Sequence, residues 1–164
     1  MKNDQTLQYL TFQLENETFG VDVHKVREVL DAISITRVPR TPDYMLGVIN
    51  LRGSVVPVID LRQRFGLTQI DRTRDTCIVV LEVNLDGEQI VVGAQTDAVD
   101  EVLDIREEQI EPPPKLGTQV NVDFILGMGK VNDESFAMLL DIDKLFTAEE
   151  LEQFWEARTV DVAV

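Results

Sequence analysis

His24 is the only histidine and Cys77 the only cysteine in the 164 residues. A zinc centre needs a cluster of Cys, His or carboxylate ligands. One histidine and one distant cysteine do not make such a cluster, so no metal is expected. No G-x-S-x-G elbow, P-loop or G-x-G-x-x-G fingerprint occurs in the chain. His24 lies where a strand joins the segment beginning at Val26, and it reads as a surface residue rather than a general base. Cys77 precedes Ile78, Val79 and Val80, which predicts a buried, inert thiol. Asp60 and Asp141 are the remaining candidates for chemistry, since a paired-acid site needs two carboxyls facing each other. Each precedes a short apolar turn, Leu61 to Phe65 or Ile142 to Phe146. An aspartate there caps backbone N–H groups. Capping is the preferred reading, a hydrolase the remote one. Neither a catalytic residue nor a cofactor is expected.

Composition narrows the partners. The apolar fraction is 44% and the charged fraction 27%, as in a globular chain. The formal net charge of −15 argues against nucleic acid, whose phosphates require Lys and Arg to release counterions. It argues equally against an anionic membrane surface. The start, MKNDQTLQ, has no apolar core of a signal peptide. No apolar run approaches the ~20 residues of a membrane helix. A single cysteine fits a reducing compartment. A soluble, cytoplasmic protein is expected.

The elements that must position any site read mainly as strands. Leu10, Phe12 and Leu14 alternate with polar residues, as do Phe19, Val21 and Val23 after a turn at Glu15–Glu17. Leu46 to Leu51 and Val55 to Ile59 form a second pair around the turn 51–54, where Gly53 supplies backbone freedom. Pro57 cannot donate a ladder hydrogen bond, so its strand is an edge or is bulged there. Thr76 to Val83 and Gln89 to Thr96 flank Asp86-Gly87, a hairpin signal. Val23, Val26, Val29, Leu30 and Ile33 fit either a helix or a bent strand. Leu61 to Phe65 is one helical turn. Thr147 to Glu150 reads as a capping box opening an amphipathic helix over 148–158, followed by a flexible tail over 159–164.

An internal repeat organises these elements. Val26-Arg27-Glu28-Val29-Leu30-Asp31 matches Val99-Asp100-Glu101-Val102-Leu103-Asp104, and Gly20 matches Gly93 upstream. Tyr44 to Val48 matches Phe124 to Met128. Val58-Ile59-Asp60-Leu61, ending on Phe65, matches Leu139-Leu140-Asp141-Ile142, ending on Phe146. The order is the same in both halves. The chain is expected to be mostly β, with two five-stranded barrels from a duplication, short helices and a C-terminal helix. The approximate lobes are 8–72 and 73–147. Closing each lobe into a barrel removes free strand edges.

Positions where the repeat breaks are freer to serve function. Asn50-Leu51-Arg52-Gly53 stands where the second half has Lys130-Val131-Asn132-Asp133. Arg52 is thus a cation at an exposed hairpin tip of an acidic protein, either an ordinary solvated residue or a binding group.

The run GVINLRGSVVPVIDLRQRFGL, Gly47 to Leu67, resembles the signature stretch of the CheW family of chemotaxis coupling proteins. Phe19 to Val29, Ile35 to Pro39, and the second-half pattern LGMGKV to LLDIDKLF fit the same family. The resemblance covers residues 8–150. It implies two SH3-like barrels around a shared hydrophobic centre and no catalysis. It also implies partners: the cytoplasmic hairpin of methyl-accepting chemotaxis receptors and the regulatory CheW-like domain of the histidine kinase CheA. Localisation would then be cytoplasmic, with recruitment to receptor arrays at the inner membrane. The module also occurs within CheA and CheV, which add further domains that this chain has no room for, so a free-standing adaptor is expected.

Residue by residue, the resemblance places Asn50, Leu51, Arg52, Gly53 and Glu28 in receptor binding, at a groove between the barrels. It places Leu10, Val23 and Val26 in an apolar patch that docks the kinase, although such aliphatics serve equally as barrel core. Glu111, Lys115 and Leu116, around the prolines 112–114, match a second kinase-facing loop stiffened against ordering cost. Glu111 is acidic where relatives can carry a basic residue. The alternatives are a CheW-like regulator of another chemosensory pathway, such as pili, and a module that binds a small ligand.

Overall fold

The computed structural model of the chain describes residues 6–31, 33–85, 87–113, 124–146 and 149–150. Period-two alternation yields strands β1 (Thr6–Leu14), β2 (Glu17–Asp22), β3 (Val26–Asp31), β4 (Met45–Leu51) and β5 (Ser54–Asp60). After the one-turn helix α1 (Leu61–Arg64) come β6 (Cys77–Leu85), β7 (Glu88–Thr96) and β8 (Ala98–Arg106). The last strands are β9 (Ile110–Glu111), β10 (Ile125–Asn132) and β11 (Ser135–Leu140). The ambiguous stretch after Val21 resolves into a 3-10 turn, Val23–Lys25, that runs directly into β3. The Asp22 carboxylate accepts from the His24 N–H at 2.9 Å and starts that turn. The amphipathic helix over 148–158 and the tail over 159–164 lie outside the described residues, save for Glu149 and Glu150.

The strands form two sheets, ordered β8-β1-β2-β11-β10-β9 and β3-β6-β7-β5-β4. Replacing each strand of the second sheet by its sequence repeat turns its order into β8-β1-β2-β11-β10. The duplication is therefore present in three dimensions, as two SH3-like curled sheets. The halves do not fold one after the other, however. The first sheet takes β1 and β2 from the first half and the rest from the second. The second sheet takes β3, β4 and β5 from the first half and β6 and β7 from the second. The chain changes sheet at the Val23–Lys25 turn and again between β7 and β8, so each half contributes to both barrels.

Register confirms the repeat residue by residue. The parallel pair β11–β2 sets Leu139 against Gly20, and the parallel pair β5–β7 sets Val58 against Gly93. Gly47 and Gly127 are also matched in surroundings. A Cβ on Gly127 would stand 2.6 Å from the Glu111 carbonyl oxygen and 2.7 Å from Ile110 Cγ2. One on Gly47 would overlap the Thr36 carbonyl oxygen and stand 2.8 Å from Ile35 Cγ2. Both glycines let a neighbouring backbone cross at close range.

Three apolar clusters hold the sheets. Phe12, Leu14 and Val21 from the first sheet meet Val79, Leu81 and Val83 from the second in a central core. Ile49, Val56, Val58, Ile78 and Val80 fill the second sheet's own curl, and Tyr9, Ile105, Ala137 and Leu139 fill the first's. Strand β1 is consequently buried on both faces. Its polar Thr11 is buried too, and its hydroxyl donates to the Glu101 carbonyl at 2.7 Å. Helix α1 clamps the junction: Arg62 Nε donates to Asp97 at 2.9 Å, and Arg64 Nε donates to the Leu145 carbonyl at 2.9 Å. Phe65 then stacks between Phe19 and Phe124.

Candidate partner-binding site

Asp60 and Asp141 first show what they do. Asp60, 2% exposed, accepts from the Arg62 N–H at 3.1 Å, and Asp141 accepts from the Asp143 N–H at 3.2 Å. Each carboxylate caps its own turn. Burial pushes the Asp60 carboxyl above its ordinary range, and the Arg62 N–H partly opposes this. His24 is an exposed side chain beside Asp22, as expected. Cys77 is half-buried rather than buried, because it opens β6 at the sheet's end. Its thiol is pushed upward by burial, then by Asp31.

Hairpin geometry puts Arg52 where it can act. The pair Leu51–Ser54 leaves a two-residue loop, with φ of 52° at Arg52 and 88° at Gly53. That is the primed turn favoured between twisted strands. The Asn50 side chain accepts from the Gly53 N–H at 2.8 Å and fixes the loop. Arginine is an unusual occupant of left-handed backbone. The equivalent turn, between Asn132 and Ser135, has no positive φ, so its side chains leave in other directions.

From this turn Arg52 reaches β3. Its two terminal nitrogens donate to the two Glu28 carboxylate oxygens at 2.7 and 3.0 Å, a fork-to-fork pair. Arg52 remains 75% exposed and Glu28 23%, so the guanidinium keeps most of its surface open. Its hydrogen bonds hold the Glu28 carboxyl below the usual range.

Beside the pair opens a cavity of about 360 Å³, lined by Val48, Leu51, Val55, Pro57 and Ile90 beneath Arg27, Glu28 and Arg52. It exists because β5 and β7 pair only over residues 58–60 and 93–95. Before that point the strands part. Pro57 therefore has a ladder partner on one side only, and its missing N–H costs no pairing. All of the lining residues belong to strands of the second sheet or to its β4–β5 turn, so the opening lies on one barrel, next to the central core, rather than between the two. Arg27, Pro57 and Ile90 were not legible as site residues. Only the parting of two strands from opposite halves brings them together.

The other predicted positions are spread out. Leu10 is 7% exposed and belongs to the central core, Val26 is half-buried against that core, and Val23 is half-buried in the 3-10 turn. Little of Leu10 is left for a partner. Glu111 is exposed on β9, paired with Met128. Lys115 and Leu116 lie outside the described residues. Among the described residues no helix is long and apolar enough to cross a membrane, and no group of three or more His, Cys, Asp or Glu could hold a metal ion.

Comparison with known proteins agrees with this architecture. The family described as CheW-like domain matches residues 8–150. The chain is 38% identical over 144 residues to the chemotaxis protein CheW of Klebsiella aerogenes, covering 88% of this chain and 84% of that one. It is 36% identical to the chemotaxis protein CheW of Helicobacter pylori, covering 84% of this chain and 80% of that one. The crystal structure of the scaffolding protein TtCheW from Thermoanaerobacter tengcongensis superimposes with a TM-score of 0.76 at 35% identity, covering 89% of this chain and 96% of that one.

Proposed function

The chain belongs to the CheW family, and from that premise we propose that it is a non-catalytic adaptor that couples methyl-accepting chemotaxis receptors to a CheA-type histidine kinase. The receptor's cytoplasmic hairpin docks at the Arg52 cavity, and the kinase docks on the face bordered by Val23 and Val26 and on the segment of Glu111, Lys115 and Leu116. The protein works in the cytoplasm and joins receptor arrays at the inner membrane. The observation that carries the reading is the Arg52–Glu28 fork at the rim of an apolar cavity. A planar cation with most of its surface open can bind a partner carboxylate or carbonyl, while the cavity receives an apolar side chain. Simultaneous binding at separate faces would hold a kinase where a receptor's conformational change can bias it.

Co-sedimentation of the purified chain with a receptor hairpin and with a CheA-type kinase tests the reading. Binding of both at once is expected, and absence of either complex overturns it. The cavity volume also lies within the range of small-molecule pockets, which favours a ligand-binding regulatory module as the second reading. Calorimetry against metabolite mixtures separates the two.

A further inference from the structure

At each place where the backbone changes sheet, an ion pair ties the two halves of the chain together. Arg62 stands two residues beyond the capping Asp60, and its Nε donates at 2.9 Å to Asp97 in the β7–β8 crossover. Asp97 also accepts from the Glu15 N–H at 2.8 Å, just past the end of β1. Asp143 stands two residues beyond the capping Asp141, and it accepts from Lys25 at 3.1 Å in the other crossover. Asp143 also accepts from the Asn84 N–H at 2.8 Å, near the end of β6. Because β1 and β6 occupy the same place in their sheets, the two junctions are one arrangement used twice. Their signs are exchanged. One junction has the cation after the cap and the acid in the crossover, and the other has the reverse.

Sorted by half, the pattern is uniform: in both pairs the cation comes from residues 1–72 and the acid from 73–164. Among the described residues two more ion pairs join the halves, Arg27 with Glu82 and Arg64 with Glu150, and both have the same polarity. Residues 1–72 hold nine Lys and Arg against nine Asp and Glu, whereas 73–164 hold six against 21, so the second half carries the whole net charge of −15. Two first halves placed together in this arrangement would set Arg62 beside Lys25 at both junctions. Two second halves would set Asp143 beside Asp97. We propose that these charges decide which half combines with which, selecting a first half for a second half and rejecting each with its like. Interlocked halves from a duplication need such selection, because both offer similar apolar strands and apolar burial has no direction. Without it, like halves of different copies would pair as chains fold together, and the products would be trapped oligomers. The Arg62 side chain is 10% and that of Asp97 22% exposed, so salt screens this junction less than a surface pair.

Dilution of the full chain from urea at increasing protein concentration, followed by size-exclusion chromatography, tests this, with a sample of each variant that was never unfolded as its baseline. Lys25→Glu combined with Asp143→Lys keeps opposite charges at that junction but gives each half one cation and one acid, so like halves now attract. Its oligomer fraction after refolding should exceed the parent's by about threefold or more. Asp143→Ala removes the native pair and leaves like halves without attraction, so it should refold with less oligomer than the exchange variant. A pair that merely stabilised the fold would give the opposite order. Arg62→Glu combined with Asp97→Arg repeats the test at the other junction and should behave as the first exchange does. Exchange variants that refold as cleanly as the parent overturn the proposal, as does more oligomer from Asp143→Ala than from the exchange.

Discussion

Arg52 and Glu28, 24 residues apart, meet through two parallel hydrogen bonds of 2.7 and 3.0 Å across the mouth of the second sheet. The pair joins the β4–β5 turn to β3, one of the sheet's two outer strands. It brings together two residues that the resemblance had assigned to one partner.

Arg52→Ala should leave the fold intact, with Tm within about 2 °C of the parent, because the side chain is mostly exposed and alanine inherits the same turn. The Glu28 carboxyl, now held low by the guanidinium, should return towards its ordinary range. A depressed folded value means that the pair's stabilisation is present above the ordinary carboxylate pKa and is lost as pH falls through the folded value. NMR titration of Glu28 in both proteins checks this. Receptor-hairpin affinity should fall about tenfold or more while kinase binding persists. Unchanged affinity returns Arg52 to the status of a solvated turn residue.

Gly47→Ala and Gly127→Ala should both destabilise by at least about 2 kcal/mol, since each new methyl meets a fixed backbone carbonyl. Gly47 should be the more sensitive, because its φ of 144° adds strain. Gly53→Ala, with open space around its Cβ, should cost less. Urea denaturation of the three variants gives the order.

Leu10→Ala should cost about 2–4 kcal/mol, as expected for a core leucine. Val26→Asp places a charge on a half-buried strand position at the core's border. Kinase binding should be lost, with the fold retained at reduced stability. A protein that unfolds outright, by circular dichroism, assigns Val26 to the core alone.

Both tyrosines should ionise at higher pH than a free phenol. Burial, the hydrogen bond to Glu150 and the charge of that carboxylate push Tyr44 up to about 12. Burial and then Asp22 raise Tyr9. For an acid whose folded value is raised, the fold favours the neutral phenol. That stabilisation is complete below the unfolded value near 10 and disappears as pH climbs towards 12. Absorbance at 295 nm should show the Tyr44 tyrosinate forming only near pH 12, and Glu150→Gln should bring its midpoint down.

Exchange of strands between the halves predicts that residues 1–72 and 73–164, expressed separately, are unfolded. Mixed in equal amounts they should assemble into the native fold, since each sheet needs both pieces. Circular dichroism of the halves and the mixture distinguishes this from two autonomous lobes.

Much of the local structure was readable from residue types. Alternation at Leu10, Phe12 and Leu14 marked β1, Asp60 and Asp141 were legible as caps, and the matching hexads at Val26 and Val99 revealed the duplication. The burial of Thr11 was not readable, because alternation reports one buried face and β1 has two. The part-buried ion pair of Arg62 with Asp97 was equally hidden, since its partner lies 35 residues away at a strand junction.

By itself, then, the sequence determined strand positions, the caps, the repeat and the family, because these depend on side-chain periodicity and on short-range hydrogen bonding. Only the tertiary structure decided which half completes which barrel, and that β5 and β7 part beside Arg52 to open a cavity. Both depend on pairing between strands remote in sequence. A parallel pair such as Val58 with Gly93 leaves no mark in the residues between them. Its extent is set by how far the two curled backbones can stay together before their twist separates them.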